Sequence, residues 1–218
     1  MNTTIGVWVI PLAITHLLPL VLIPLIMRVF SSQKAYYQPR INSNLLIQIG
    51  LVCLMISMIL GFLTHVFITR WANKTDVFNP YDAVIFTIMT AAFCLISYGL
   101  KKGKADAVIM ILAVVSVPVG YIYRIEPFRI LGQTIGLTYM VIRGYQILRD
   151  KRIFLVPVFS VGTNVFFLIL QYRTGHPVFH MLHDLAGTLL GFGIFGYLFA
   201  VNGRRRSRLP DAGERNRA

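Results

Sequence analysis

Charge is scarce in this chain: 13% of its 218 residues are Asp, Glu, Lys or Arg, about half the share of a soluble domain. Acid is scarcer still, with 8 Asp and Glu against 21 Lys and Arg. Surfaces that face water all round are therefore excluded for most of the chain. The net charge of +13 does not point to nucleic acid either, because the cations are parked at the ends of apolar segments rather than gathered on a reading face. Cysteine is limited to Cys53 and Cys94; both lie inside apolar runs, so a disulfide framework is excluded and buried thiols are expected. The first apolar run begins at Ile5 with no basic residue before it. No small-residue cleavage site ends a short core, so it reads as a retained helix and not as a cleavable signal peptide. Internal repeats are also lacking, which weighs against the inverted-repeat transporters.

What remains is apolar: 56% of residues are hydrophobic and the mean hydropathy is +0.68. Runs of about 18 or more apolar residues can each cross a hydrocarbon core of roughly 30 Å, and they use up nearly the whole chain. The expected class is all-α, a seven-helix transmembrane bundle. The spans are Ile5–Met27, Leu45–Thr69, Asp82–Leu100, Ala105–Tyr123, Phe128–Leu148, Ile153–Tyr172 and Pro177–Val201. Pro127 and Pro177 suit helix starts, where a missing N–H costs nothing. Two units result, a membrane domain over 1–202 and a basic, disordered tail over 203–218.

Alternate connections differ in their cations. One side carries sixteen, namely Arg28, Lys34, Arg40, Lys101, Lys102, Lys104, Arg143, Arg149, Lys151, Arg152 and the six arginines from Arg204 to Arg217. The other carries five, Arg70, Lys74, Arg124, Arg129 and Arg173. The positive-inside rule makes the rich side cytoplasmic, which leaves the N-terminus outside and the C-terminus inside. An integral, multi-pass protein of a bacterial-type plasma membrane is expected, in contact with lipid and not with nucleic acid.

Polar groups inside such segments are functional candidates by default, since a charge at the bilayer centre costs about 2.5–3.5 kcal/mol on insertion scales. His65 lies late in the second helix and Asp82 opens the third, with Asp76 in the connection between them. His176, His180, His183 and Asp184 occupy the start of the seventh. The topology puts all of them at one depth on the extracytoplasmic side. His176 and His180 are spaced i, i+4, which stacks side chains on one helix face; with His65 they would make a three-histidine zinc site with an open fourth position. Zinc lowers the pKa of its bound water to about 7, and Asp82 could carry the proton. Pro177 biases His176 away from helical geometry, so His183 stays open as the third ligand, and Asp184 could orient an imidazole instead. Asp82 could equally be an N-cap, and His16, alone in the first helix, reads as a packing residue.

These residues resemble the CREST superfamily of seven-helix membrane hydrolases, which includes alkaline ceramidases and the progestin and adipoQ receptors. The family pattern places a histidine late in helix 2, an aspartate near the start of helix 3 and HxxxH early in helix 7. Gly61-Phe62-Leu63-Thr64-His65, Tyr81-Asp82-Ala83 and His176-Pro177-Val178-Phe179-His180 match in turn, and Met181-Leu182-His183-Asp184-Leu185-Ala186-Gly187 is similar to the ceramidase-like continuation. The resemblance implies zinc held by His65, His176 and His180, Asp82 in catalysis, and hydrolysis of a lipid amide or ester. Gly61 stands where the family usually has serine, leaving Thr64 or Ser57 as the available hydroxyls, and Asp76 competes with Asp82 for the aspartate position. Two other classes are kept: a haem-binding membrane cytochrome with axial histidines from two helices, and a non-enzymatic receptor or transporter.

Overall fold

The computed structural model describes residues 11, 14, 15, 17, 19–37, 40–64, 80–176 and 178–207, and every described element is helical. The chain is an all-α, seven-helix bundle, and its helices follow the apolar runs. They are α1 (Pro19–Ser32), α2 (Asn44–Leu63), α3 (Pro80–Leu100), α4 (Asp106–Ile122) and α5 (Glu126–Leu148). Next comes α6, whose pieces run from Lys151–Phe154 through Val158–Gly162 to Thr163–Thr174. Last is α7, running from Val178–Asp184 through Leu185–Leu190 to Gly191–Ser207.

Local chemistry sets the boundaries. Ser43 caps α2, its hydroxyl accepting from the Leu46 N–H at 3.3 Å, one of the four donors a helix start leaves unpaired. Proline stands in the first turn of α5, where it forfeits no hydrogen bond. α5 ends on Arg149 in the left-handed region (φ 55°), as helices commonly do. α7 does not stop at Val201 but continues to Ser207.

Four stretches are long and apolar enough to span a bilayer: Asn44–Leu63, Pro80–Leu100, Lys151–Gln171 and Leu185–Arg204. Leu20–Ser32 and Asp106–Ile122 are shorter apolar helices. α5 carries Glu126, Arg129 and Arg143, so its charge and not its length sets it apart. The protein is an integral multi-pass membrane protein, and its outward apolar side chains, such as Val108, Ile111 and Leu112 on α4 at 61–62% exposure, form a lipid-facing surface.

In lipid, apolar contact alone does not drive helices together, so close packing and hydrogen bonds must. Small residues supply the closeness. A Cβ on Gly50 would stand 2.8 Å from Ile96 Cγ1 and 2.9 Å from the Ala92 carbonyl oxygen, and one on Gly99 would stand 2.9 Å from the Ile47 nitrogen. These contacts make α2 and α3 an antiparallel pair with Gly50 opposite Ile96. On the other flank, α7 closes the bundle through an aromatic cluster: Phe30 and Phe199 ring centroids are 4.8 Å apart and Phe195 and Phe199 4.9 Å. The Tyr37 hydroxyl donates to the Phe199 carbonyl, and the Gln33 amide donates to the Ala200 carbonyl at 3.0 Å.

Gly132 is a sharp test of this packing, because a Cβ there would overlap the Ala113 carbonyl and press on Val117 and Ser116. Gly132→Val should destabilise the α4–α5 contact by about 1–3 kcal/mol and lower the detergent melting temperature. Gly193→Ala, whose nearest neighbour would be Leu22 at 3.9 Å, should not. Equal melting of the two variants would show that the α4–α5 interface is not close-packed.

Candidate functional site

Asp82 stands in the first turn of α3, which begins at Pro80, and not at the cap. It is 5% exposed, so its carboxylate faces the bundle and not lipid. Following the antiparallel α2–α3 pair residue for residue from Gly50 opposite Ile96 brings Thr64 opposite Asp82. Thr64 is itself buried at 4%, and His65 is its immediate neighbour in sequence.

The third arm comes from α7. Phe93 of α3 and Phe192 of α7 stack with ring centroids 6.1 Å apart, and both helices run away from the same end of the bundle. Asp82 lies eleven residues before Phe93 and His180 twelve before Phe192, which at the helical rise is roughly 16 and 18 Å. Thr64, Asp82 and His180 therefore share one depth, at the end of the bundle opposite the basic connections. His180, His183 and Asp184 belong to the helical piece Val178–Asp184, so His180 and His183 are i, i+3 neighbours and His180 and Asp184 i, i+4 neighbours.

His176 is outside that helix. The Val178 N–H donates to its Nδ1 at 3.2 Å, and the Phe179 N–H donates to its carbonyl at 3.3 Å. This is a capping arrangement, with a ring nitrogen doing what a Ser or Asp oxygen usually does. It commits Nδ1 to the backbone, so metal ligation by this imidazole would go through Nε2. His65, Asp76, His16 and Pro177 lie outside the described residues. Among the described residues no three His, Cys, Asp or Glu side chains converge as metal ligands.

A turn of π-helix over Leu185–Leu190 follows directly on His183 and Asp184, and a second, Val158–Gly162, packs beside it from α6. A Cβ on Gly191 would come within 2.9 Å of the Ser160 Cβ, so the two wide turns are pressed together. Such turns recur at functional sites because they shift the face that the preceding residues present.

Two residues join Asp82 that the sequence did not single out. Tyr121 of α4 lies within electrostatic reach of the Asp82 carboxylate and of Arg129. The Arg129 guanidinium is 5.7 Å from the Tyr121 ring centroid and 3.2 Å from Glu126 Oε1. Phe86 stacks on Tyr121 at 6.3 Å. The available signal was that Arg129 is one of only five cations on its side of the chain. Ser57, the other candidate hydroxyl, donates to the Leu54 carbonyl at 2.8 Å and sits two turns nearer the bundle centre than Thr64.

Against known proteins, residues 8–205 match the family 7TM_cyano, described as a seven transmembrane receptor. No curated protein and no solved structure matches the chain.

Proposed function

The chain belongs to the 7TM_cyano family of seven transmembrane receptors, and from the shared depth of Thr64, Asp82 and His180 we propose a zinc-dependent hydrolase of a lipid amide or ester, similar to the ceramidase branch of the CREST superfamily. The single observation that carries the reading is the helix register, which brings residues of α2, α3 and α7 to one level at the sparsely charged end of the bundle. The donor chemistry fits the metal: imidazoles of His65, His176 and His180, with His183 as the alternative third ligand, form a nitrogen set that suits zinc. Zinc held there supplies an acidified water at neutral pH. Asp82 accepts the proton of the attacking water on its buried carboxylate and returns it to the leaving nitrogen or oxygen. Thr64 donates its hydroxyl to the developing oxyanion in place of the serine that Gly61 replaces. Asp184 orients one of the imidazoles, and Asp76 is the alternative carboxylate to Asp82. By the positive-inside rule this end is extracytoplasmic, so an acyl chain enters from the outer leaflet.

Metal analysis of the purified chain tests this. Wild type is expected to hold about one zinc per chain, and His65→Ala with His180→Ala to hold none. Zinc at the variant's level in the wild type sinks the hydrolase. The family's description as receptors favours a second reading, a ligand-binding protein without catalysis; ligand binding that survives full metal removal selects it. A Soret band in the purified protein would instead select the haem protein.

A further inference from the structure

At the opposite, basic end, Arg40, Lys101, Gln146, Ile147 and Arg149 line an open cavity of about 280 Å³. The three cations come from three separate places: the α1–α2 connection, the end of α3 and the left-handed cap of α5. Like charges gathered from separate elements repel each other unless an anion lies between them.

The nearby carboxylates are committed elsewhere. Asp106 is paired with Arg143 and accepts the Gly103 N–H at 2.9 Å. Asp150 is gripped by Arg152, whose hydrogen bonds hold its carboxyl well below the usual carboxylate range, and it also accepts from the Asn202 amide at 3.3 Å. Gln146 has its carbonyl oxygen taken by Arg143 Nη1 at 2.8 Å, which turns the amide N–H donors toward other partners. The polar lining thus offers donors and positive charge and no ionised acceptor. Arg40 is further fixed in place, its guanidinium 4.3 Å from the Tyr36 ring centroid.

From this all-donor lining we infer that the cavity is a phosphate-binding site. Its opening at the boundary of the spans suits the headgroup of an anionic phospholipid, and a soluble phosphate presents the same chemistry. The site is separate from the histidine–aspartate level and does not depend on it.

The test uses the full chain in detergent, with phosphatidylglycerol, phosphatidylcholine or inorganic phosphate added, and reads bound lipid by native mass spectrometry and stabilisation by thermal melting. Phosphatidylglycerol should bind in preference to phosphatidylcholine. Its affinity should fall about fivefold for Arg40→Gln alone and on the order of a hundredfold for Arg40→Gln, Lys101→Gln and Arg149→Gln together. The control variant Lys102→Gln, Lys104→Gln and Arg204→Gln removes the same charge from the same end and should lose little. If inorganic phosphate alone stabilises the wild type and loses that effect in the cavity variant, the phosphate site stands and its ligand is a soluble phosphate. Equal losses in the two triple variants, or no preference for the anionic lipid together with no stabilisation by inorganic phosphate, overturn the inference.

Discussion

Asp82→Asn is expected to lower turnover of a lipid amide by about 10²–10⁴-fold while leaving bound zinc at the wild-type level. Asparagine keeps the shape and most hydrogen-bonding capacity of the residue but cannot take up a proton. The substitution therefore separates proton transfer from packing, which matters at a side chain 5% exposed in the first turn of a membrane helix. Turnover and metal content must be measured on the same preparation. If zinc and activity fall together, Asp82 is a ligand and not the proton carrier. If activity is unchanged, the hydrolytic role assigned to it is wrong. Tyr121→Phe adds a finer comparison. The phenol is within reach of both Asp82 and Arg129, so removing its hydroxyl should lower turnover by less than Asp82→Asn does and leave bound zinc at the wild-type level.

Much of the bundle was legible because a membrane span writes itself in length and composition. The expected third span, Asp82–Leu100, differs from the observed Pro80–Leu100 only by its first two residues, and Ala105–Tyr123 differs from Asp106–Ile122 by one at each end. The proline at the start of α5 announced a boundary with a physical cause, and the cations Lys101, Lys102 and Lys104 stand where α3 gives way to α4. Inside α6 and α7 the sequence was silent about the π-turns. Val158–Gly162 and Leu185–Leu190 contain no charged residue, so an i→i+5 turn there leaves no charge pattern by which to read it. The second of those turns changes the phase of the helix between Asp184 and Gly191, so the detail of the ligand set was not readable from spacing alone. His176 was legible in part. The proline after it foretold a non-helical residue, whereas the bond from the Val178 N–H to its Nδ1 needed three dimensions. Arg129 and Tyr121 could not be tied to Asp82 from sequence, because only the packing of α4 and α5 on α3 brings them near.

The same limit hid the pair that dominates the basic end, Asp106 and Arg143, which stand 37 residues apart. Their side chains are 6% and 14% exposed, so the carboxylate and guanidinium have each given up most of their water. Asp106 also accepts the Gly103 N–H at 2.9 Å, tying the α3–α4 hairpin to α5, and it lies in the first turn of α4 where the helix dipole favours negative charge. Asp106→Leu should therefore cost about 3–5 kcal/mol, because it strands a largely buried guanidinium and an N–H donor together. Arg143→Met should cost a comparable amount by stranding the carboxylate. The double variant Asp106→Leu with Arg143→Met is expected to recover most of the loss. Mutual attraction of a buried pair roughly offsets its desolvation, and Arg143 Nε is already buried with no hydrogen-bond partner. Thermal melting in detergent of the two single variants and the double variant forms a closed cycle that isolates the pair. Additive losses would mean that the two residues act separately. A double variant near wild type means that the pair's charges serve each other, leaving Arg40, Lys101 and Arg149 as the cations at this end that face the phosphate cavity.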